Sequence, residues 1–330
     1  MPDIIFEKIC TQMDLGALLR PPVRLSGGLM HKMFSLETTR GRYAVKLLNP
    51  HVMLRPEAKA NFETAERLEE ILEKNGIPIL PAITFRQKKM QEIDGQYFYL
   101  FPWYEGKALK SGGIGEYHCA EVGRILAAIH NIDKKEAPFV RDEIRIDWDF
   151  YIRGLEKENR GLFRLLKEKR SLLCCCQERA NAAVRRLPQV SAVCHNDMDC
   201  KNILWNGRDY RIIDLECLSY SHPFLELMEL ALCWSGTEEQ SVDFERLRVF
   251  VKSYAAAGGS TPQDWEAVYD SSCGRLEWLE YNIKRVLGID CGAEEKELGI
   301  SEVCTTLEQI VFYADSRAAV LDSLSQPGGR

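Results

Sequence analysis

Val193-Cys194-His195-Asn196-Asp197-Met198-Asp199-Cys200-Lys201-Asn202-Ile203-Leu204-Trp205, followed by Tyr210-Arg211-Ile212-Ile213-Asp214-Leu215-Glu216, is the stretch that decides the reading of this chain. Ile203-Leu204-Trp205 and Ile212-Ile213 read as two short strands around an Asn206-Gly207 turn, a strong hairpin signal. Pairing them brings Asn202, just before the first strand, close to Asp214, just after the second, with Asp197 on the loop leading in. Two oxygen ligands that converge with room for water and phosphate suit magnesium, which takes few protein ligands and keeps substrate oxygens. A third carboxylate beside them can accept the proton of an attacking hydroxyl. A surface hairpin capped by polar side chains would explain any one of these residues. Their combination points to chemistry.

The chain around this stretch has 330 residues, enough for two domains or two lobes. Hydrophobic residues make up 45% and charged residues 28%, an ordinary mix for a globular protein. No apolar run approaches the roughly 18–20 residues of a membrane helix. The N-terminus, MPDIIFEKICTQMD, carries acids where a signal peptide would carry positive charge, so a cytoplasmic protein with no membrane partner is expected. Twelve cysteines are scattered without a CxxC pair. Adjacent Cys174-Cys175-Cys176 cannot hold one tetrahedral metal without severe distortion, so free thiols in a reducing compartment are the better account. Net charge is −6, but 21 acidic residues face only 9 basic ones between Asp214 and Arg330. That balance argues against nucleic acid as a partner. It is either a solvated acidic face or a negative field presented to a cationic substrate.

Outward toward the N-terminus, Phe34-Ser35-Leu36-Glu37-Thr38 alternates as a half-buried strand should. A turn through Thr39-Arg40-Gly41-Arg42 leads to a second strand, Tyr43 to Leu48. Residues 56–75 read as a helix, with Phe62, Ala65, Leu68 and Leu72 at helical spacing and Gly76 and Pro78 as stop signals. Two further strands are expected near Ile83-Thr84-Phe85 and from Gln96 to Phe101. Pro102-Trp103-Tyr104-Glu105-Gly106 then looks like a link. Beyond it the chain is mainly helical, at Glu116 to His130, Trp148 to Leu187 and after Pro223, with the β-rich stretch 193–214 inserted. The fold class is therefore α+β: an antiparallel-sheet lobe with one helix over 1–102, and a mainly helical lobe over 103–330.

The stretch 193–216 resembles the catalytic loop and metal-binding turn of the aminoglycoside phosphotransferase and choline kinase family, relatives of protein kinases. That pattern is His-x-Asp, four residues, Asn, then an apolar strand pair ending in Asp, matched here by His195, Asp197, Asn202 and Asp214. The resemblance implies a two-lobed protein-kinase-like fold and transfer of the γ-phosphoryl group of ATP, with Mg2+, to a hydroxyl of a small molecule. An amino alcohol, aminosugar or related metabolite, in some cases cationic, is the implied acceptor. Asp197 would be the base or hydroxyl-positioning residue, Asn202 and Asp214 would hold magnesium, and His195 would keep the loop in shape.

The resemblance extends to Tyr43-Ala44-Val45-Lys46, where Lys46 stands for a strand-borne lysine that binds nucleotide phosphates. Its partner should be a glutamate on the 56–75 helix. Glu63 and Glu66 share a face and are not separable, with Glu66 preferred. Gly27 and Gly28 lie where a phosphate-covering loop belongs, since glycines let backbone amides approach phosphate. Phe101 and Trp103 resemble the hinge whose backbone meets adenine. No GxxxxGK[ST] occurs, which excludes a P-loop.

Several positions depart from the pattern. Asn196 stands where glycine is commoner, and Asp199 stands where protein kinases place a lysine, which leaves charge neutralisation to magnesium and Lys46. Glu226 occupies a usual Asp position and reads as structural, while Glu216 either coordinates metal or solvates the loop. On the helix through Arg275–Arg285, Trp278, Tyr281, Asn282 and Arg285 fall away from the centre of the apolar face made by Leu276, Leu279 and Ile283. An aromatic there could hold an ammonium group or simply be core. A catalytically silent nucleotide-binding relative is the alternative from another class. A protein kinase is disfavoured by the missing lysine and by the lack of an APE-like segment.

Overall fold

The structure is a computed structural model, and it describes residues 3–25, 31–135, 143–272, 275–289, 291 and 295–325. In chain order the elements are α1 (Asp3–Gln12), β1 (Val23–Arg24), β2 (Lys32–Thr38), β3 (Gly41–Leu47), α2 (Pro50–Met53), α3 (Ala58–Lys74), β4 (Gln91–Ile93), β5 (Gln96–Pro102), β6 (Lys107–Ala108) and α4 (Glu116–His130). Then come β7 (Lys134–Lys135), α5 (Trp148–Glu158), α6 (Arg160–Val184), β8 (Ser191–Cys194), β9 (Ile203–Asn206), β10 (Asp209–Ile212) and β11 (Ser219–Ser221). Helices α7 (Pro223–Trp234), α8 (Phe244–Ala256), α9 (Trp265–Ser272), α10 (Arg275–Leu287) and α11 (Lys296–Ser325) complete it. Two compact units result, one of residues 1–113 with 193–220 and one of 114–192 with 221–330.

The first unit is built on a five-stranded antiparallel sheet in the order β1-β2-β3-β5-β4. Because side chains alternate along a strand, neighbours in sequence serve opposite faces. Val45 joins Leu36, Phe98 and Leu100 beneath Phe6, Ile9 and Cys10 of α1. Leu48 and Tyr99 join Phe62 of α3 on the other face. Lys46 sits opposite Tyr99 in the β3–β5 register, so the α3 face is the one that carries the lysine. Helix α3 forms where its spacing predicted, burying Phe62, Ala65, Leu68 and Leu72.

The strand expected at 83–85 does not form. Arg86 and Gln87 take left-handed backbone (φ 49° and 64°) in a turn where Phe85 and Lys88 exchange hydrogen bonds, and β5 pairs instead with Gln91–Ile93. Ile83 contributes one bond, its amide to Leu100 O at 2.7 Å. Helix α1 and the short α2 add to the one helix expected in this half of the chain.

The β-rich stretch belongs to the same compact unit. β9 pairs with β10 through the two-residue loop Gly207-Arg208, Gly207 taking φ +62°, and β6 pairs on the other side of β9. Ile212 donates to Pro78 O and accepts from Leu80 N, both at 2.8 Å, which ties the hairpin to the segment after α3. Residues 193–220 therefore form one compact unit with residues 1–113, where consecutive lobes divided at 102 were expected.

The second unit is helical. α5, α6, α10 and α11 close around Trp148, Leu155, Leu166, Leu173, Leu279, Ile283, Val303 and Ile310. α4 meets α8 so closely that a Cβ on Gly123 would stand 2.4 Å from Phe250 O. Among the described residues no helix is long and apolar enough to cross a membrane, and the described cysteines are all free.

Candidate active site

β3 delivers Lys46 to the α3 face of its sheet, where only 7% of the residue is exposed. A buried ammonium needs partners. It has two, Asp214 Oδ1 at 2.5 Å and the Glu216 carboxylate. Burial alone would lower the Lys46 pKa, but Asp214 and Glu216 reverse that and raise it. Glu216 is held from a second direction by His31, whose Nε2 lies 3.4 Å from Glu216 Oε2 while Nδ1 accepts the Asn49 amide at 2.9 Å. Burial raises the Glu216 carboxyl, yet the His31 hydrogen bond and the Lys46 charge prevail and bring it down to about 2.

The loop from β8 to β9 is fixed by side chains that grip its backbone. His195 is fully buried. Its Nε2 donates to Ile213 O at 3.2 Å and its Nδ1 accepts the Asp197 amide at 3.3 Å, so one ring spans the loop and the end of the hairpin. Asn196 takes left-handed backbone (φ 62°), which asparagine tolerates better than most residues. Its Nδ2 reaches Cys217 O at 2.8 Å, Ser219 Oγ at 3.0 Å and Cys194 O at 3.2 Å. The substitution for glycine thus keeps the required backbone and adds a clamp.

Asn202, 3% exposed, donates from Nδ2 to Asp197 O at 2.7 Å and to Asp197 Oδ2 at 2.9 Å. Its backbone carbonyl accepts from Ile213 N at 2.9 Å, so Asn202 and Asp214 are neighbours across the open end of the hairpin, as the pairing argument required. Asp214 also takes left-handed backbone, φ 62° and ψ 56°, which starts the tight turn Leu215–Cys217 packed against α3. Strained, well-anchored backbone of this kind is tolerated where it aims a functional group.

Asp197 lies among negative charge. Burial and Asp199 push its carboxyl up to about 6, with Asp214 adding to the rise and Lys201 and Asn202 working against it. Lys201 Nζ stands 3.5 Å from Asp197 Oδ1 and 2.6 Å from Asp199 Oδ2. A carboxylate near 6 is well matched to taking a proton from a hydroxyl at neutral pH. The donor set fits a hard divalent cation: with its amide turned to Asp197, Asn202 has a carbonyl oxygen left to offer, and Asp214 supplies a carboxylate alongside.

The structure thus gathers Lys46, Asp197, Asn202, Asp214 and His195 in one unit. It corrects the expected lysine partner. Glu66 accepts from Tyr99 Oη and Met90 N, Glu69 beside it binds Lys89 and the Ala82 amide, and Glu63 is exposed. Glu66 and Glu69 thus bond to the 82–90 segment, while Asp214 and Glu216 hold the lysine. Gly27 and Gly28 lie outside the described residues. Phe101 on β5 pairs with Ala44 of β3; Pro102 has no amide hydrogen, and Trp103 N donates to Arg42 O at 3.2 Å with the Arg42 guanidinium 3.6 Å from its ring.

His31, Asn196 and Lys201 were not recognised from sequence as site residues. Only the spacing of four from Asp197 could have signalled Lys201. In the second unit, Trp278 and Tyr281 stack at 5.4 Å, but Arg285 stands 4.5 Å from the Tyr281 ring and 5.9 Å from that of Trp278. The cation these aromatics attract is the protein's own. Glu226 is buried and bonded to His130 Nε2 at 2.8 Å, in keeping with a structural role.

The sequence model of the phosphotransferase enzyme family matches residues 23–270. No curated protein matches the chain by sequence. Among solved structures, a spectinomycin phosphotransferase in complex with ADP and spectinomycin superposes with a TM-score of 0.69 at 13% identity, covering 93% of this chain and 98% of that one. An amicoumacin kinase in complex with AMP-PNP and Ca2+ gives 0.60 at 11%, covering 93% of each chain. A choline kinase from Cryptosporidium parvum gives 0.57 at 15%, covering 97% and 96%. At these identities the likeness speaks for the fold.

Proposed function

From the premise that this chain belongs to the phosphotransferase enzyme family, and is an enzyme of the small-molecule kinase class, we propose that it transfers the γ-phosphoryl group of ATP to a hydroxyl of an amino alcohol, aminosugar or related metabolite. The observation that carries the reading is the cluster itself. Lys46, Asp197, Asn202 and Asp214 are linked by bonds of 2.5–2.9 Å through Asp214 Oδ1, Asp197 Oδ2 and the Ile213–Asn202 backbone contact.

Each residue then has a task. Asp197 accepts the hydroxyl hydrogen bond and orients the oxygen for attack, taking its proton as the bond to phosphorus forms. Lys46 neutralises phosphate charge, and Glu216 with His31 sets where its ammonium stands. Asn202 and Asp214 would hold magnesium, which when bound supplies charge neutralisation across the β- and γ-phosphates. His195 and Asn196 keep the loop in the geometry that positioning catalysis demands. Phe101 and Trp103 border the nucleotide base as hinge residues. Gly27 and Gly28 would belong to the phosphate-covering loop that the sequence resemblance implies. An enzyme of this kind, with ATP as co-substrate and free thiols, fits the cytoplasm, and the acidic C-terminal third favours a cationic acceptor.

The test is magnesium-dependent ADP release by the purified protein, alone and with a panel of amino alcohols, aminosugars and sugars, against Asp197→Ala. Turnover in the wild type that disappears in the variant supports the reading. Equal, null turnover in both points to a silent nucleotide-binding relative.

A further inference from the structure

We propose that Lys201 stabilises the phosphoryl group in flight, so that this loop carries its own cation; the proposal rests on the kinase reading above. The position at which protein kinases place a lysine carries Asp199 here, and the nearest lysine of the loop in sequence is Lys201. Asp199 does not leave the loop without a cation at this point: it holds the Lys201 ammonium beside itself. Asp199 Oδ1 caps the turn Cys200–Asn202 by accepting the Lys201 amide at 3.1 Å, and Asp199 Oδ2 holds the Lys201 ammonium at 2.6 Å. The same ammonium then lies 3.5 Å from Asp197 Oδ1. Lys46 is not placed to do this work at Asp197, since its Nζ is bound between Asp214 and Glu216.

The chemistry follows from that distance. A hydroxyl oriented by Asp197 sits about 2.6–3.2 Å from its carboxylate. The phosphorus it attacks lies about 3–3.5 Å further on in a productive complex. An ammonium within 3.5 Å of that carboxylate, on a flexible four-carbon stem that is 58% exposed, reaches the phosphoryl oxygens by side-chain rotation alone. In the step, the acceptor oxygen bonds to the γ-phosphorus. The bond from that phosphorus to the bridging oxygen breaks, and its electron pair leaves with ADP. The acceptor proton goes to Asp197. Lys201 remains protonated throughout and exchanges its contact with Asp199 for one to a non-bridging oxygen, where negative charge is spread in the transition state.

A lysine that merely pairs with Asp199 on the surface would contribute little and be replaceable. The experiment compares wild type, Lys201→Met, Lys201→Gln and Lys201→Arg, with Asp197→Asn in parallel, reading kcat, KM for ATP and thermal midpoint. The expected result is a kcat reduced roughly 100–1,000-fold in the Met and Gln variants, on the scale of one lost charge-stabilising donor. KM for ATP should change less than about threefold, and Arg should recover at least about tenfold of the loss. Two neutral variants guard against a folding defect in one of them. A kcat within about threefold of wild type in either folded variant, with Asp197→Asn inactive, overturns the proposal and leaves the kinase reading standing. A wild type without magnesium-dependent turnover overturns both.

Discussion

The Tyr99 hydroxyl donates to Glu66 Oε1 at 2.8 Å, across the gap between β5 and α3. Glu66 also takes the Met90 amide at 3.1 Å. Burial, with Glu66 alongside, drives the phenol pKa well above its ordinary value, so the proton stays on Tyr99 and Glu66 is the acceptor. Glu66 is thereby part of the packing of this unit. Glu66→Ala should lower stability by about 1–3 kcal/mol in urea unfolding, the cost of leaving partly buried donors unpaired. Its KM for ATP should move less than that of Glu216→Ala, for which a rise of about tenfold is expected because Lys46 loses one of its two anchors. The comparison of the two KM values decides which glutamate serves the lysine.

Asn196 combines left-handed backbone with a side chain bonded to Cys217 O and Ser219 Oγ. Asn196→Gly keeps the backbone and loses the clamp, at about 1 kcal/mol. Asn196→Ala loses the clamp and adds about 1 kcal/mol or more of backbone strain. The stability order Asn, Gly, Ala should appear in denaturant midpoints, and kcat should fall in the same order.

Burial and the neighbouring Asp199 push the Asp197 carboxyl up to about 6, above the ordinary carboxylate range. The folded protein therefore holds this proton over a range of pH where the unfolded chain has released it, and stability falls as pH rises from about 4 through about 6. The side chain is 35% exposed, so solvent screening trims the penalty to about 1 kcal/mol. Asp197→Asn should stabilise the protein by about that much at pH 8, give no gain at pH 4, and abolish turnover. A carboxyl carbon titration followed by NMR would show the midpoint near 6. It should shift up in Lys201→Met and down in Asp199→Asn.

His130 is fully buried between Glu226 Oε2 at 2.8 Å and Tyr254 Oη at 2.9 Å. Removing the carboxylate takes away the charged partner of the buried His130 Nε2, so Glu226→Ala should cost about 2–4 kcal/mol. Tyr254→Phe, which removes only one partner atom, should cost about 1 kcal/mol. Calorimetric unfolding of the two variants measures the difference.

What could be read from the sequence depended on how local the determining contacts are. The hairpin at 203–212 and the helix at 58–74 follow from turn chemistry and apolar spacing within single segments, and both formed where expected. The strand expected at 83–85 failed because Arg86 and Gln87 adopt a turn whose partner strand begins only at Gln91. No local signal in Ile83-Thr84-Phe85 shows that. The partner of Lys46 was legible as to charge and not as to identity. Helical spacing presented Glu63 and Glu66, whereas Glu216 arrives from 170 positions away through a turn that begins with left-handed Asp214. Lys201 escaped notice for a related reason: a cation beside two aspartates reads as surface neutralisation until the capped turn fixes where its stem leads.

The hairpin bearing Asn202 and Asp214 has two unlike ends. At one, Ile212 is bonded to Pro78 and Leu80, and Ile213 to Asn202, so a slip of a single position would turn every side chain of β10 to the wrong face and carry Asp214 away from Asn202. At the other, the Gly207-Arg208 loop has open space where a Cβ on Gly207 would point. That tip therefore has room for a grafted peptide tag as long as Gly207, at φ +62°, is itself kept.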